Sequence, residues 1–449
     1  MTFNEFKSFV IKEAAALGLA DYELYYTASE SVNVGAFKHE IKSFESSNSG
    51  GVCFRCIVNG RMGYSSSEEL SESAARSVVR RAADNASSLE SDEVEFLGEG
   101  GKSYTEPEKK DHPLPSTEAL IKAALDGQEA LYAADPSVID GCGSEAFIMK
   151  ESIAIVNSKG LDLYYENKAS GFVSDAVVSD GNEMSNSYEF KLGDYSKLDI
   201  DALAKKAVSD AISRLGASVP STGVFPVVFS PRAMSSLLAT YSSVFSAESA
   251  RKGLSKFKDC EGTPVASEAL TIVDDPFYKE SPMPIGFDAE GTPTYKKNVI
   301  ENGTLITLLY NLKNAAALGK VTTGNASKAG YDSAVGIRPF TMYIAPGECG
   351  EDELLKKAEN GVYIDFLGGL HAGANVISGD FSLQSKGFLI ENGVKTRPVG
   401  SFTVAGNFYD LLKQITAVGN EVEYRGFGMT SFASPSVLVE KLSIAGKNE

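Results

Sequence analysis

The chain has 449 residues, a formal net charge of −18, 43% hydrophobic residues and 23% charged residues. Its length exceeds what one hydrophobic core usually supports, so we expect two domains, and its negative charge argues against nucleic-acid binding because a polyanion would be repelled. The sequence has neither an apolar run that could cross a bilayer nor the pattern of a secretion signal, so we expect a cytoplasmic protein without membrane contact.

The first half of the chain alternates between helical and strand patterns. Apolar residues at helical spacing predict helices over residues 3–17, 68–86, 116–134 and 199–215. Alternating patterns predict strands over residues 21–27, 32–44, 51–58 and 61–64, and a run of strands and turns over 137–190. Asn59-Gly60 is typical of a two-residue hairpin turn. We therefore predict an N-terminal α+β domain over residues 1–215, with helices covering an antiparallel sheet.

The second half is predicted to be mostly antiparallel β structure. A Ser-, Pro- and Gly-rich segment at 216–223 marks the domain boundary, and a C-terminal domain is expected over residues 224–449. It begins with a strand at 224–229 and a helix at 231–246. The sequence Ile-Glu-Asn-Gly occurs at both 300–303 and 390–393. Two simple Asn-Gly turns explain this better than a duplicated β unit, because only four residues repeat.

Cysteine and histidine are sparse. Cys53 and Cys56 have the spacing of a metal or redox pair, but residues three apart on a strand point to opposite faces. We therefore predict two buried structural cysteines. The three histidines, His39, His112 and His371, form no local metal motif. A structural role for His371 is favoured, and a hydrolase that uses it with Asp380 or Cys349 remains an alternative.

Small residues crowd the segment 373–382, which is followed by alternating strand sequence. Small side chains let a second backbone approach closely, as a groove that binds an extended peptide by strand addition requires. The candidate substrate-binding residues are Ser378, Gly379, Asp380, Phe381 and His371. An ordinary turn closed by an Asp cap explains the pattern equally well. If the segment lines a groove, Gly379→Val is expected to block peptide docking and leave the fold largely intact.

Residues 368–382 and 387–393 resemble the TldD/PmbA family, once named modulators of DNA gyrase. Within that family the similarity is to the TldE/PmbA branch, the subunit that lacks the zinc motif. Supporting motifs lie at residues 251–255, 274–276, 287–294 and 323–326. The resemblance covers essentially the whole chain and is strongest from residue 224 onward.

In the catalytic branch of this family, a His-Glu-x-x-x-His motif follows the first strand of the second domain. Its imidazoles bind zinc, its Glu activates water, and a cysteine near the C-terminus completes the ligands. Two histidines five residues apart lie ~140° apart on a regular helix, so that helix must be widened or broken. The same register places Ala239, Thr240 and Val244 at these positions, and residues 426–430 contain no thiol. The resemblance thus implies no catalytic and no metal-binding residue in this chain.

The resemblance implies a non-catalytic partner subunit of a TldD-type zinc metallopeptidase complex. Zinc would be held by the TldD-like partner, and this chain would help to enclose and align unfolded or small peptides. Without that partner, the chain is expected to form a homodimer. Two alternatives stay open: a stand-alone homodimeric peptide-binding protein, and a peptidase with a non-zinc site around His371.

Overall fold

A computed structural model describes residues 1–90, 93–108, 112–426 and 428–447. In its first half, six strands form an antiparallel sheet in the order β3-β2-β1-β4-β5-β6. The strands are β1 (Asp21–Phe37), β2 (Glu40–Val58), β3 (Arg61–Ser67), β4 (Gly143–Asn157), β5 (Asp162–Ser179) and β6 (Met184–Gly193). The helices are α1 (Phe3–Ala16), α2 (Glu72–Ser88), α3 (Thr117–Ala134) and α4 (Ile200–Ile212). The predicted N-terminal architecture of helices on an antiparallel sheet is confirmed.

Side-chain alternation along β1 decides which face of this sheet the helices cover. Leu24 packs under α1 and α2, and Val34 packs under α3. Tyr25 points to the opposite face and meets residues of the second half. On β2, Cys56 lies on the helical face and Cys53 on the other, both buried. The prediction of two structural cysteines on opposite faces is therefore confirmed.

The second half is built on two larger sheets and a small hairpin. The strands are β7 (Gly223–Phe229), β8 (Ile272–Asp274), β9 (Lys297–Glu301), β10 (Thr304–Leu305), β11 (Ala326–Ser327), β12 (Gly336–Ile337), β13 (Thr341–Ile344), β14 (Gly361–Gly368), β15 (Asp380–Glu391), β16 (Val394–Asn407), β17 (Ile415–Val418), β18 (Glu423–Arg425), β19 (Ser431–Ser434) and β20 (Val437–Ala445). The helices are α5 (Pro231–Tyr241), α6 (Ala247–Arg251), α7 (Leu312–Ala317), α8 (Glu351–Ala358), α9 (Leu370–Gly373) and α10 (Phe408–Lys413).

One sheet has the order β16-β15-β14-β7-β20-β17, and an extra pairing of β16 with β20 closes five of its strands into a barrel. The other has the order β10-β9-β8-β13-β19-β18. Pairing is antiparallel except between β7 and β14 and between β13 and β19, so the predicted mostly antiparallel character is confirmed. No helix in the described part of the chain is long and apolar enough to span a membrane.

Local sequence explains the elements that shape the site. Asn302-Gly303 and Asn392-Gly393 both turn with positive φ, as two-residue hairpins require. They lie in different sheets, as expected for two independent turns. Helix α5 begins after Ser230, whose hydroxyl oxygen accepts a hydrogen bond from the Ala233 amide at 3.1 Å. The helix predicted over 231–246 ends earlier, at Tyr241, and a 3₁₀ turn spans Ser242–Phe245.

Candidate functional site

The small-residue segment forms a compact turn between α9 and β15. The carboxamide oxygen of Asn375 accepts hydrogen bonds from the amides of Ile377 and Ser378 at 3.0 and 3.1 Å. The Asn375 amide donates to the carbonyl of Asp380, and the Gly379 amide donates back to the Asn375 carbonyl, each at 2.8 Å. This arrangement is an Asx-type turn, in which a side chain replaces backbone partners.

The structure brings Ser378, Gly379, Asp380 and Phe381 together in this turn. The Asp380 carboxylate accepts a hydrogen bond from the Asn407 side chain at 2.8 Å. Hydrogen bonds with Asn407 and Ser378 hold the pKa of Asp380 below its ordinary value. The side chain of Phe381 is buried, whereas Asp380 is exposed. Substrate binding by these residues stays a prediction, and the Asp380 carboxylate already has a hydrogen-bond partner in Asn407.

Gly379 does not tolerate a larger side chain. Its φ is +86°, in the left-handed region that favours glycine. A Cβ atom there would lie 2.5 Å from the ring of Tyr409 and 3.0 Å from the side-chain oxygen of Asn407. The expectation that Gly379→Val leaves the fold largely intact is therefore wrong, because valine adds both backbone strain and a steric clash.

His371 lies at the exposed surface of the four-residue helix α9. Within the described ranges, no hydrogen bond joins it to Asp380 or Cys349. The Cys349 sulfur instead contacts the Lys357 ammonium at 3.0 Å, in a separate core cluster beside α8. The alternative of a non-zinc hydrolase around His371 therefore stays a prediction, without a hydrogen-bonded pair among the described residues to support it.

The positions that the resemblance aligns with zinc ligands lie at the end of α5 and in the 3₁₀ turn after it. The side chain of Ala239 has no atom that could bind a metal. The hydroxyl of Thr240 donates a hydrogen bond to the Ser236 carbonyl at 2.8 Å. Val244 is fully buried in the main core of the second half. Helix α5 packs against β19, which follows residues 426–430; Phe427 lies outside the described residues.

These side chains do not fit a zinc ion, because neither Ala239 nor Val244 can donate an electron pair. Nor is there, among the residues that the structure describes, a group of three His, Cys, Asp or Glu side chains placed to hold a metal.

A cavity of about 360 Å³ lies between the uncovered face of the N-terminal sheet and the second half. Its apolar wall includes Tyr25, Ile153, Ile285, Phe287, Phe340 and Met429. Lys328 and Arg338 supply positive charge. None of the predicted substrate-binding residues lines it. Sequence reasoning missed this site, although two motifs behind the family resemblance, 287–294 and 323–326, contribute to its wall.

Asp288 joins these two motifs inside the wall. One carboxylate oxygen accepts hydrogen bonds from the amides of Glu290 and Thr292, and the other accepts one from Ala326, all at 2.9 Å. Burial raises the pKa of Asp288. The side chain therefore holds the wall together and is turned toward backbone amides.

Next to it, Asn325 fastens the second motif to the sheet below. Its amide nitrogen donates to the buried Asp274 carboxylate at 2.7 Å, and its oxygen accepts from Lys297 at 3.1 Å. Lys297 in turn lies 3.2 Å from Asp274. Asn325, Asp274 and Lys297 thus all contact one another, and this network favours a rigid wall for the cavity.

Comparison with known proteins identifies the family. Models described as PmbA/TldA metallopeptidase domain 1, central domain and C-terminal domain match residues 22–86, 110–215 and 222–446. A metalloprotease PmbA homolog of Haemophilus influenzae is 25% identical over 447 residues, covering 98% of this chain and 95% of that protein.

Two solved structures share the fold. One, described as a candidate modulator of a DNA gyrase from Thermotoga maritima, has a TM-score of 0.90 and 30% identity, covering 99% of this chain and 100% of the other. TldE from Thermococcus kodakarensis has a TM-score of 0.87 and 24% identity, covering 97% of this chain and 100% of the other. The chain belongs to the PmbA/TldD metallopeptidase family.

Proposed function

We propose that this chain is the non-catalytic partner subunit, of the TldE/PmbA kind, in a TldD-type zinc metallopeptidase complex. The proposal rests on the side chains at the end of α5. There, Ala239, Thr240 and Val244 occupy the positions that the resemblance aligns with the His-Glu-x-x-x-His motif of the catalytic branch. Zinc activation of water needs several ligands and an open coordination position. Zinc and the cleavage step would therefore belong to a TldD-like chain, and the fold shared with TldE supports the assignment.

In this proposal the chain helps to enclose and align unfolded or small peptides for cleavage. The turn at 375–381 borders the same helix, because the hydroxyl of Tyr241 donates to the Asp380 carbonyl at 2.8 Å. Strand β15 begins at Asp380 and continues to Glu391. A peptide path near this turn would thus run close to the end of α5.

The experiment combines the purified chain with a TldD-like chain and follows cleavage of an unstructured peptide. The chain alone should show no chelator-sensitive cleavage and no stoichiometric zinc. Adding it should raise the activity of the TldD-like chain in proportion to complex formed. Chelator-sensitive cleavage by this chain alone, in a preparation free of other proteases, would overturn the proposal.

Without its partner the chain is proposed to form a homodimer through the second half, because exposed strand edges favour association. Light scattering at micromolar concentration tests this directly, and a strictly monomeric species would contradict it. A stand-alone peptide-binding protein would bind peptides equally well with and without a TldD-like chain. The proposed subunit instead needs the complex for productive peptide handling.

A further inference from the structure

The cavity between the two halves holds positive charge that has no carboxylate partner. Lys328 reaches the cavity from the end of β11, and its ammonium lies 4.8 Å from the ring centre of Tyr25. It also interacts with the thiol of Cys53, and burial lowers its pKa. Arg338 is exposed at the cavity surface. Across the described ranges, neither cation forms an ion pair.

Three acidic groups in or behind the cavity wall have partners of their own. Both carboxylate oxygens of Asp288 accept hydrogen bonds from backbone amides. The buried Glu23 pairs with Arg55 at 2.7 Å. Glu290 accepts a hydrogen bond from the Leu312 amide at 2.8 Å, and its pKa is raised by burial. In the part of the chain that the structure describes, none of these carboxylates forms an ion pair with Lys328, so an anion from outside can pair with it.

The remaining wall specifies what kind of anion fits. Ile285, Phe287, Phe340 and Met429 present apolar surface, and the volume of about 360 Å³ lies in the range of small-molecule sites. The backbone amides of Glu290, Thr292 and Ala326 could otherwise bind a phosphate, but they donate their hydrogen bonds to Asp288. A ligand with one planar anionic group and one apolar group matches both features.

We propose that this cavity binds an organic carboxylate bearing an apolar group, whose carboxylate is held by Lys328 and Arg338 and whose apolar group packs against Phe287 and Phe340. A free organic acid and the C-terminal end of a peptide share this chemistry. The site belongs to this chain alone, so its occupancy does not depend on a metallopeptidase partner.

Calorimetric titration of the full chain tests the proposal with N-acetyl-leucine and with N-acetyl-leucinamide. The two probes have nearly the same shape and differ in charge. A charge-assisted hydrogen bond contributes enough to give the carboxylate about tenfold tighter binding or more. Equal dissociation constants for acid and amide, or no saturable binding of the acid up to millimolar concentration, would overturn the proposal.

A second pair of probes, Ala-Ala-Leu and its C-terminal amide, distinguishes the two sources of the carboxylate. Tighter binding of the free tripeptide than of N-acetyl-leucine would assign the site to peptide ends. Tighter binding of N-acetyl-leucine would assign it to free organic acids. In both cases the amidated probe should bind about tenfold more weakly than the acid.

Substitutions assign the binding to these side chains. Lys328→Met keeps an unbranched side chain without charge, and Arg338→Gln removes the exposed cation. Each should weaken binding of N-acetyl-leucine about tenfold and leave the amide unchanged. Lys122→Met, on the exposed face of α3, is the matched control and should bind as the wild type does.

If Lys328→Met fails to fold, the Arg338→Gln variant alone tests the site, because its exposed side chain can be shortened without opening a buried space. Unchanged discrimination between acid and amide in a folded Arg338→Gln variant would contradict the assigned site.

Discussion

The hydroxyl of Tyr241 donates a 2.8 Å hydrogen bond to the backbone carbonyl of Asp380 and so ties the end of helix α5 to the turn before β15. The Tyr241 ring is fully buried and stacks on Phe408, with ring centres 4.4 Å apart. The end of helix α5 therefore serves as a packing anchor for this turn. This relationship can be tested independently of any activity.

Tyr241→Phe should lower the stability of the chain by about 1 kcal/mol, because one buried hydrogen bond is lost and the ring packing is kept. The loss stays at that level because the Asp380 carbonyl also accepts from the Asn375 amide. The measurement is the urea midpoint of the variant. Tyr164→Phe is the matched control: its ring is exposed and its hydroxyl contacts Glu166. Equal midpoints for the two variants would contradict the anchor role.

Gly379 and Gly369 form a matched pair for the turn. Both have positive φ, but a Cβ at Gly369 meets nothing within 4 Å, whereas one at Gly379 meets Tyr409. Gly369→Ala should cost only the backbone strain, about 1 kcal/mol. Gly379→Ala should cost about 2–4 kcal/mol, because the clash adds to the strain. Thermal unfolding of both variants measures the difference, and similar melting temperatures would show that Tyr409 moves aside.

The features predicted correctly from the sequence depend on local pattern. Asn59-Gly60 turns between β2 and β3 because Asn and Gly accept positive φ, and this needs no distant information. The opposite faces of Cys53 and Cys56 follow from strand alternation alone. Neither prediction needs information about residues elsewhere in the chain.

The cavity could not be predicted in the same way. Tyr25 and Lys328 are about three hundred positions apart in the sequence, and only the packing of the second half on the N-terminal sheet brings them together. Likewise, the sequence shows that Gly379 is small but not that Tyr409 fills the space beside it. The cavity and the filled space beside Gly379 both depend on contacts between residues far apart in the sequence, and a local sequence pattern does not reveal such contacts.

Glu290 should make the stability of the chain depend on pH. Burial, followed by the charge of Asp288, raises its pKa above the ordinary value of 4.5. The folded state then binds more protons than the unfolded state, so stability falls as pH rises above about 5. Glu290→Gln cannot ionise and can still accept from the Leu312 amide. Its urea midpoint relative to wild type should rise between about pH 5 and pH 8.

Glu351 provides a control of opposite sign. Burial alone would raise its pKa, but hydrogen bonds with Lys395, Tyr363 and Ser436 lower it overall. Its contribution to stability is therefore present above its unfolded pKa and is lost as pH falls through the lower folded value. Glu351→Gln should be less stable than wild type at pH 7, and the difference should shrink as pH falls below about 4.5. For either variant, a stability difference from wild type that does not change with pH would refute the assignment for that residue.

The final prediction concerns zinc-binding side chains introduced at the end of α5. Ala239→His and Thr240→Glu change half-buried positions on α5, so the double variant should fold and retain no stoichiometric zinc after dialysis. Adding Val244→His places an imidazole in a core where the native side chain is fully buried among apolar residues. Loss of packing and an unpaired polar group should lower stability by about 2–5 kcal/mol.

Metal analysis and urea unfolding of the double and triple variants measure these outcomes together, with Val244→Leu as the control for a purely apolar change. Metal ligands depend on hydrogen-bonding residues that orient them, and the described core around Val244 is formed mainly by apolar side chains. The triple variant should therefore be less stable than the Val244→Leu control, with zinc unable to restore its urea midpoint. One tightly held zinc ion per triple-variant chain, with a raised urea midpoint, would show that the end of α5 retains a usable metal geometry.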